Sequence, residues 1–132
     1  MTSTLKMLKK RSDFLTVAKS KRSWVTPGFI IQMHVRNNHN NIQDSDNSVR
    51  VGYTVTKRVG KAVIRNRIRR RLRASVNEVL PVYAIDGRDY VFIGRRRAAK
   101  RCYSLLVSDL RWALSKLEDS KLKVGVGLGA QQ

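Results

Sequence analysis

The residues best suited to chemistry lie between Lys57 and Arg73, a stretch that holds nine of the chain's 28 lysines and arginines. No acidic residue interrupts the sequence from Asn47 to Asn77. Lys61, Arg65, Arg69 and Arg73 recur every fourth residue, Asn66 and Arg70 fall in the next row, and Arg67 and Arg71 lie on the opposite flank. On a helix this spacing presents one or two guanidinium groups per turn, at a rise of about 5.4 Å. A guanidinium is a planar fork that binds phosphate oxygens two at a time, which a lysine ammonium does not do. The chemistry on offer is the gripping of a polyanion with regularly spaced phosphates.

Proton transfer and metal binding find much less to work with. The acids are Asp13, Asp44, Asp46, Glu78, Asp86, Asp89, Asp109, Glu118 and Asp119. Apart from the pairs at 44/46 and 118/119 they are scattered, whereas two-metal hydrolysis needs several carboxylates around one point. His34 and His39 are too few for a metal cage or an evident acid–base pair, and His34 reads as a groove-facing or surface residue. Asp44-Ser45-Asp46 opens like a calcium loop, but Val49 and Val55 stand where the loop needs glycine and glutamate. No catalytic residue and no metal ligand is assigned.

Such charged rows need a scaffold, because like charges four apart destabilise a helix. One is written into the same segment: Ile64, Ile68, Leu72, Val76 and Leu80 also recur in fours, and Val63 and Val79 widen them into an apolar stripe. This helix is expected to start near Gly60 and to end at Pro81. Just before it, Val49, Val51, Tyr53 and Val55 alternate with Arg50, Gly52, Thr54 and Thr56, a half-buried strand. An earlier strand runs from Phe29 to about Arg36, after a break at Pro27-Gly28. The polar loop Asn37–Ser48 is expected to join these two strands as a hairpin. Tyr90-Val91-Phe92-Ile93 is short and wholly apolar, which suits a sheet centre. A second basic cluster follows it at Arg95–Arg97, Lys100 and Arg101.

Two more helices frame the chain. The first has Ser12 as its expected N-cap, Asp13 in its first turn, and Phe14, Val17 and Ala18 on one face; Lys6, Lys9, Lys10 and Arg11 precede or open it. The last runs from about Tyr103 to Leu117, with Leu106, Leu110, Ala113, Leu114 and Leu117 along its apolar side. The order α-β-β-α-β-α predicts an α/β (α+β) fold, three helices packed with a small mixed sheet. One domain is expected over residues 1–117. Residues 118–132, which include Val-Gly-Val-Gly-Leu-Gly, are expected to be a flexible tail.

The bulk numbers point the same way. A net charge of +19 implies a nucleic acid or an anionic membrane as partner, with attraction that weakens steeply in salt, while 42% hydrophobic residues suffice for a core. No run approaches the ~18 apolar residues of a membrane span, so no membrane partner is expected. The basic start, Met1–Arg22, reads as part of the domain and not as a transit peptide. A lone cysteine, Cys102, excludes an internal disulfide, fits a reducing cytoplasm, and is expected to pack in the core.

Leu8-Lys9-Lys10 followed by Asp13-Phe14, and the run Arg50-Val-Gly-Tyr-Thr-Val-Thr-Lys-Arg-Val-Gly-Lys-Ala-Val-Ile-Arg-Asn-Arg-Ile-Arg-Arg70, resemble the protein component of bacterial ribonuclease P. The resemblance covers roughly Lys6 to Leu117, and it is most specific from Arg50 to Arg73. It implies a left-handed βαβ crossover, against the general right-handed rule. It also implies that Lys57, Arg58, Lys61, Arg65, Asn66, Arg67, Arg69, Arg70 and Arg73 contact the catalytic RNA. A cleft between the first helix and the sheet, with Phe14 and Gln32, is then expected to take the single-stranded 5′ leader of precursor tRNA. Cleavage to the mature 5′ end is expected from RNA and magnesium, the protein acting as a subunit of the endonuclease. Family members often place aromatics where Ala18 and Gln32 stand, so this cleft is expected to rely less on stacking and more on charge and hydrogen bonds.

Two other readings compete. A ribosomal or RNA-packaging protein fits the charge and size equally well but not the Arg50–Arg73 signature. A stand-alone nuclease requires a carboxylate or histidine cluster, which the sequence does not offer.

Overall fold

In the computed structural model, which describes residues 5–36 and 48–118, the chain runs β1 (Leu5–Met7), α1 (Arg11–Lys19), β2 (Arg22–Val25), β3 (Phe29–Val35), β4 (Val49–Thr54), a 3-10 turn (Lys57–Val59), α2 (Ala62–Tyr83), β5 (Arg88–Gly94), a second 3-10 turn (Arg96–Ala99) and α3 (Tyr103–Leu117). The strands lie side by side in the order β1-β4-β5-β3-β2. Strand β5, with its apolar run Tyr90–Ile93, takes the centre, parallel to β4 and antiparallel to β3, so that Val91 stands between Gly52 and Gln32. Strands β4 and β5 with α2 between them form a βαβ unit.

This arrangement corrects the expected hairpin. Strands β3 and β4 do not pair; β5 separates them, because a strand with apolar residues on both faces is stable only where both faces are covered. Apart from Ser48, the loop expected to join them lies outside the described residues, as does the expected tail after Glu118. The three strands legible in the sequence are the middle of the sheet. Two short edge strands complete it. One is β1, parallel to β4; the other is β2, joined to β3 through Pro27-Gly28 with the Thr26 hydroxyl accepting from Phe29 N at 3.1 Å.

The two faces of the sheet carry different loads. On one, Phe29, Ile31, Met33, Val51, Tyr90 and Phe92 pack with Ile68, Leu72, Val76, Val79 and Leu80 of α2 and with Leu106, Leu110, Ala113, Leu114 and Leu117 of α3, the main core. Trp24 of β2 meets Trp112 of α3 edge to face at 5.3 Å. On the other face α1 covers a smaller cluster of Leu8, Val17 and Val91, with Phe14 and Ile93 partly buried against it.

Several local expectations change. Helix α1 begins two residues earlier than a Ser12 cap allows: Lys10 holds the cap position, its carbonyl accepts from Asp13 and Phe14, and Ala18 is exposed. Val63 is 79% exposed and does not belong to the apolar stripe. Val35, which alternates with Phe29, Ile31 and Met33 and by that pattern is expected to share their buried face, is exposed at the end of β3. Pro81 does not end α2 but sits in its last turn. Proline removes the bond to the carbonyl four residues back, and that residue, Asn77, is exposed to water, so the helix continues to Tyr83. Cys102 is exposed at the cap of α3 and does not pack in the core.

At the other end of α2 a glycine sets the entry. Gly60 has φ 155° and ψ −167°, a region essentially reserved for glycine. The helix then approaches β5 closely because Gly94 has no side chain: a Cβ there would stand 2.7 Å from Ile68 Cγ2 and 3.0 Å from Val55 Cγ2. Gly94→Ala is therefore expected to lower the unfolding free energy by about 1–3 kcal/mol, read as a reduced urea midpoint at unchanged slope. An unchanged midpoint would mean that α2 withdraws from the strand without loss.

Candidate nucleic-acid interface

With Ile68, Leu72, Val76 and Leu80 facing the sheet, the polar residues of α2 are distributed around the remaining arc. On one flank, Arg65 donates from Nε to the Gly60 carbonyl at 3.2 Å, Arg69 reaches the Val55 carbonyl at 3.4 Å, and the Arg73 guanidinium lies 5.6 Å from the centre of the Tyr53 ring. On the other flank, Arg67 Nε donates to the Ala99 carbonyl at 2.8 Å and Arg71 Nε to that of Ala98 at 2.9 Å. Asn66 and Arg70 are exposed along the crest, where the Asn66 amide oxygen accepts from Arg69 at 3.3 Å. Lys57, Arg58 and Lys61 are exposed on the approach to the helix.

All nine residues singled out on this segment thus belong to one surface. Among the described residues none of the nine is within ion-pair distance of a carboxylate. Five of the described acids are committed elsewhere. Buried Asp89 is held by Arg36 and by a two-pronged Arg50 contact at 2.8 and 2.7 Å. Asp13 lies 3.6 Å from Arg50, Asp109 accepts from Arg101 at 2.7 Å, Glu118 pairs with Arg88, and Glu78 accepts from the Tyr103 hydroxyl at 2.9 Å. The ridge keeps its charge uncompensated, and a dense row of uncompensated cations is the electrostatic footprint of a polyanion site.

The α1 face of the sheet offers a second feature. Phe14 is half-buried with its ring directly over Gly52: a Cβ on that glycine would come within 2.5 Å of the ring. Gln32 is half-buried on the same face. It lies across β5 from Gly52, two strand spacings or roughly 10 Å away. Ile30, Ile93 and Thr54 continue this face as half-buried neighbours, and Lys9 and Lys10 are exposed at the start of α1. Phe14 and Gln32 therefore line the same side of the sheet, with Phe14 also packing on the small cluster under α1.

The family model described as Ribonuclease P matches residues 3–118. The chain belongs to the ribonuclease P protein family. Relatives named ribonuclease P protein component include one from Paramagnetospirillum magneticum, 48% identical over 117 residues, 89% of this chain and 86% of that one. Another, from Gluconacetobacter diazotrophicus, is 44% identical over 109 residues, 83% and 88% of the two chains. Among solved structures, the ribonuclease P protein of Thermotoga maritima superposes with a TM-score of 0.68 at 22% identity, covering 86% of this chain and 98% of that one. That of Staphylococcus aureus gives 0.66 at 24%, covering 85% and 94%. At these identities the structures establish a shared fold.

Some of what shapes this ribonuclease P family surface is not apparent from sequence pattern. Arg71 was not among the contact candidates, yet with Arg67 it ties α2 to the turn Arg96–Ala99; Arg96 in turn donates to the Val59 carbonyl at 3.0 Å. Basic residues aimed at carbonyl oxygens leave no periodic signal, and only the buried Ala98-Ala99 pair within the arginine cluster hints at a packed turn. Tyr53 is likewise more than a strand residue. It stacks on Phe92 at 5.9 Å, and burial, opposed in part by Arg73, pushes its hydroxyl pKa up to about 12. Because the folded state holds this proton more tightly than the unfolded chain, Tyr53 favours folding below pH ~10, and that contribution fades as pH rises towards 12. A native-state phenolate absorbance titration, compared with Tyr53→Phe, should therefore lose a step centred near 12; a lost step near 10 would mean that the ring is not buried.

Proposed function

We propose that this chain is the RNA-binding subunit of a ribonuclease P that removes the 5′ leader of precursor tRNA, with the ridge on α2 gripping the catalytic RNA and the α1 face of the sheet receiving the leader. The observation that carries this reading is the ridge itself: Lys57 to Arg73, anchored from below by aliphatic side chains and without a carboxylate partner among the described residues. Its physical contribution is to neutralise phosphate repulsion, so that two polyanions, the catalytic RNA and its substrate, approach at ordinary salt. Phe14 supplies a ring for leader bases, which stack on aromatics with little sequence preference. Gln32 adds a donor and an acceptor beside it.

The phosphodiester is cut by the RNA with magnesium in this reading. Among the described residues no three of His, Cys, Asp and Glu come together as a metal cage requires, and in this reading the chain's part is binding and positioning. A cytoplasmic site of action accords with the exposed free thiol of Cys102. Among the described residues no helix is long and apolar enough to cross a membrane.

Reconstitution tests this reading. Purified protein alone should leave precursor tRNA intact, and adding ribonuclease P RNA from the same organism should give cleavage at low magnesium; turnover without RNA would reject it. Arg65→Ala and Arg69→Ala should each reduce the slope of log K against log salt by about 1, whereas unchanged slopes would remove α2 from the phosphate contact. Phe14→Ala should weaken leader-bearing precursor by about 1–3 kcal/mol and mature tRNA far less. Equal losses would argue against a leader site on that face.

A further inference from the structure

Beside the ridge lies a feature that phosphate binding alone does not require. A groove of about 740 Å³ opens between the start of α2, the turn Arg96–Ala99 and the start of α3. Its volume is within the range of roughly 300–1,000 Å³ usual for sites that enclose a small organic molecule. The groove is amphipathic in a particular way. Its apolar part is supplied by Val63, Ile64, Ala99 and Leu105, of which Val63 is 79% and Leu105 46% exposed. Its polar part is entirely basic: Arg67, Arg96, Arg97, Lys100 and Arg101, with no acid in the lining.

These basic side chains are not equivalent. Arg101 is bound to Asp109, Arg67 donates to Ala99 and Arg96 to Val59. Arg97 and Lys100 are exposed and make no ion pair among the described residues. The groove also runs into the ridge, because Arg67 belongs to both. A ligand for it must therefore be flat or compact and apolar in one part, anionic in another, and continuous with whatever lies along α2.

An unpaired nucleotide meets each requirement. We propose that this groove receives a base extruded from the RNA bound along α2, the base lying on Val63 and Leu105 and its flanking phosphates on Arg97 and Lys100. The proposal rests on the RNA-binding reading above and adds to it a preference for an interrupted helix over a perfect one. Splayed bases are the usual currency of RNA recognition, since the grooves of an A-form helix display little sequence, and guanidinium planes such as that of Arg67 are common stacking partners for them. Val63 is the residue that most needs this explanation: a β-branched aliphatic exposed on a helix start, outside the core and on the lining of the groove.

The test compares two short RNA duplexes of the same stem, one perfect and one carrying a single bulged adenosine, at fixed salt. The chain should bind the bulged duplex about tenfold more tightly. Val63→Ser combined with Leu105→Ser, both exposed and outside the core, should abolish that preference while perfect-duplex affinity stays unchanged. Cys102 gives an independent readout. Its thiol lies on the groove lining, 3.2 Å from the Ser104 hydroxyl, and that hydrogen bond holds its pKa below the usual range. Alkylation by iodoacetamide should be slowed by the bulged duplex and little by the perfect one. Equal affinities for the two duplexes, a preference that survives the double substitution, or a thiol unprotected in the bulged complex would each overturn the proposal while leaving the ridge intact. If neither duplex binds, the RNA reading falls and the groove proposal with it. If instead Val63→Ser with Leu105→Ser dissolves a dimer seen by sedimentation, the groove belongs to a second copy of this chain and the proposal is wrong.

Discussion

The burial of one side of α2 is the constraint on which the rest depends. Within the helix Arg65–Arg69, Arg69–Arg73 and Arg67–Arg71 are like-charged at four, and Arg67–Arg70 and Arg70–Arg73 at three. At about 0.2–0.5 kcal/mol a pair, this repulsion is of the order of 1–2.5 kcal/mol, enough to melt an isolated helix of marginal stability. Against it stand Ile68, Leu72, Val76, Val79 and Leu80, all but fully buried. Each is worth roughly 1.5–3 kcal/mol of transfer. Burial wins by a wide margin, and it wins only because Gly94 and the flat apolar face of β5 allow the helix to lie close. The cationic ridge is thus a by-product of the core: the same contacts that fold the protein fix where its charges stand.

That link explains what was legible in the sequence and what was not. The stripe of α2 and the alternation of β4 are periodic over many residues, so both were readable, and with them the polar rows Lys61, Arg65, Arg69 and Arg73 and Asn66 and Arg70. The wholly apolar Tyr90–Ile93 could only be central. But the pairing of β3 with β5 and not with β4 joins residues more than fifty apart, as in His34 with Asp89, and no local pattern carries such information. Strands β1 and β2 span three and four residues, too short for a period to show. The remaining misreadings, Val63, Ser12, Ala18, Pro81, Cys102 and Val35, fall at the ends of helices or, for Val35, of a strand, where a small shift moves a side chain from core to water. On the α1 face Phe14 was readable as an aromatic in a helix, while its seat on Gly52 depends on a close approach that only coordinates reveal.

Charge is sorted, not merely abundant. Arg36, Arg50, Arg88 and Arg101 take the carboxylates, and in doing so fasten the ends of strands and the start of α3. Arg22, Arg71 and Arg95 are spent on carbonyl oxygens of Leu117, Ala98 and Thr26, joining elements that would otherwise meet only through their apolar sides. What remains on the α2 surface has no anionic partner among the described residues. The folded state therefore holds unrelieved repulsion on one side, which a bound polyanion relieves; on the reading proposed above, RNA stabilises the fold as well as being held by it.

The ridge arginines also show why arginine, and not lysine, fills most of these positions. Arg65, Arg67 and Arg69 each lend part of the guanidinium to a backbone carbonyl, those of Gly60, Ala99 and Val55. A guanidinium has five N–H donors in a rigid plane, so some can be held by the protein while others, already oriented, remain for the phosphate of the proposed reading. An ammonium on a flexible stem has no second edge: bound to the carbonyl it turns away from the ligand, and released it must be ordered again on binding. The entropy of fixing long side chains, of the order of 0.5–1.5 kcal/mol each, is in this way met during folding. On the reading proposed above, a helix surface so prepared meets phosphates at set positions, and the spacing of those positions is the spacing of the apolar stripe beneath.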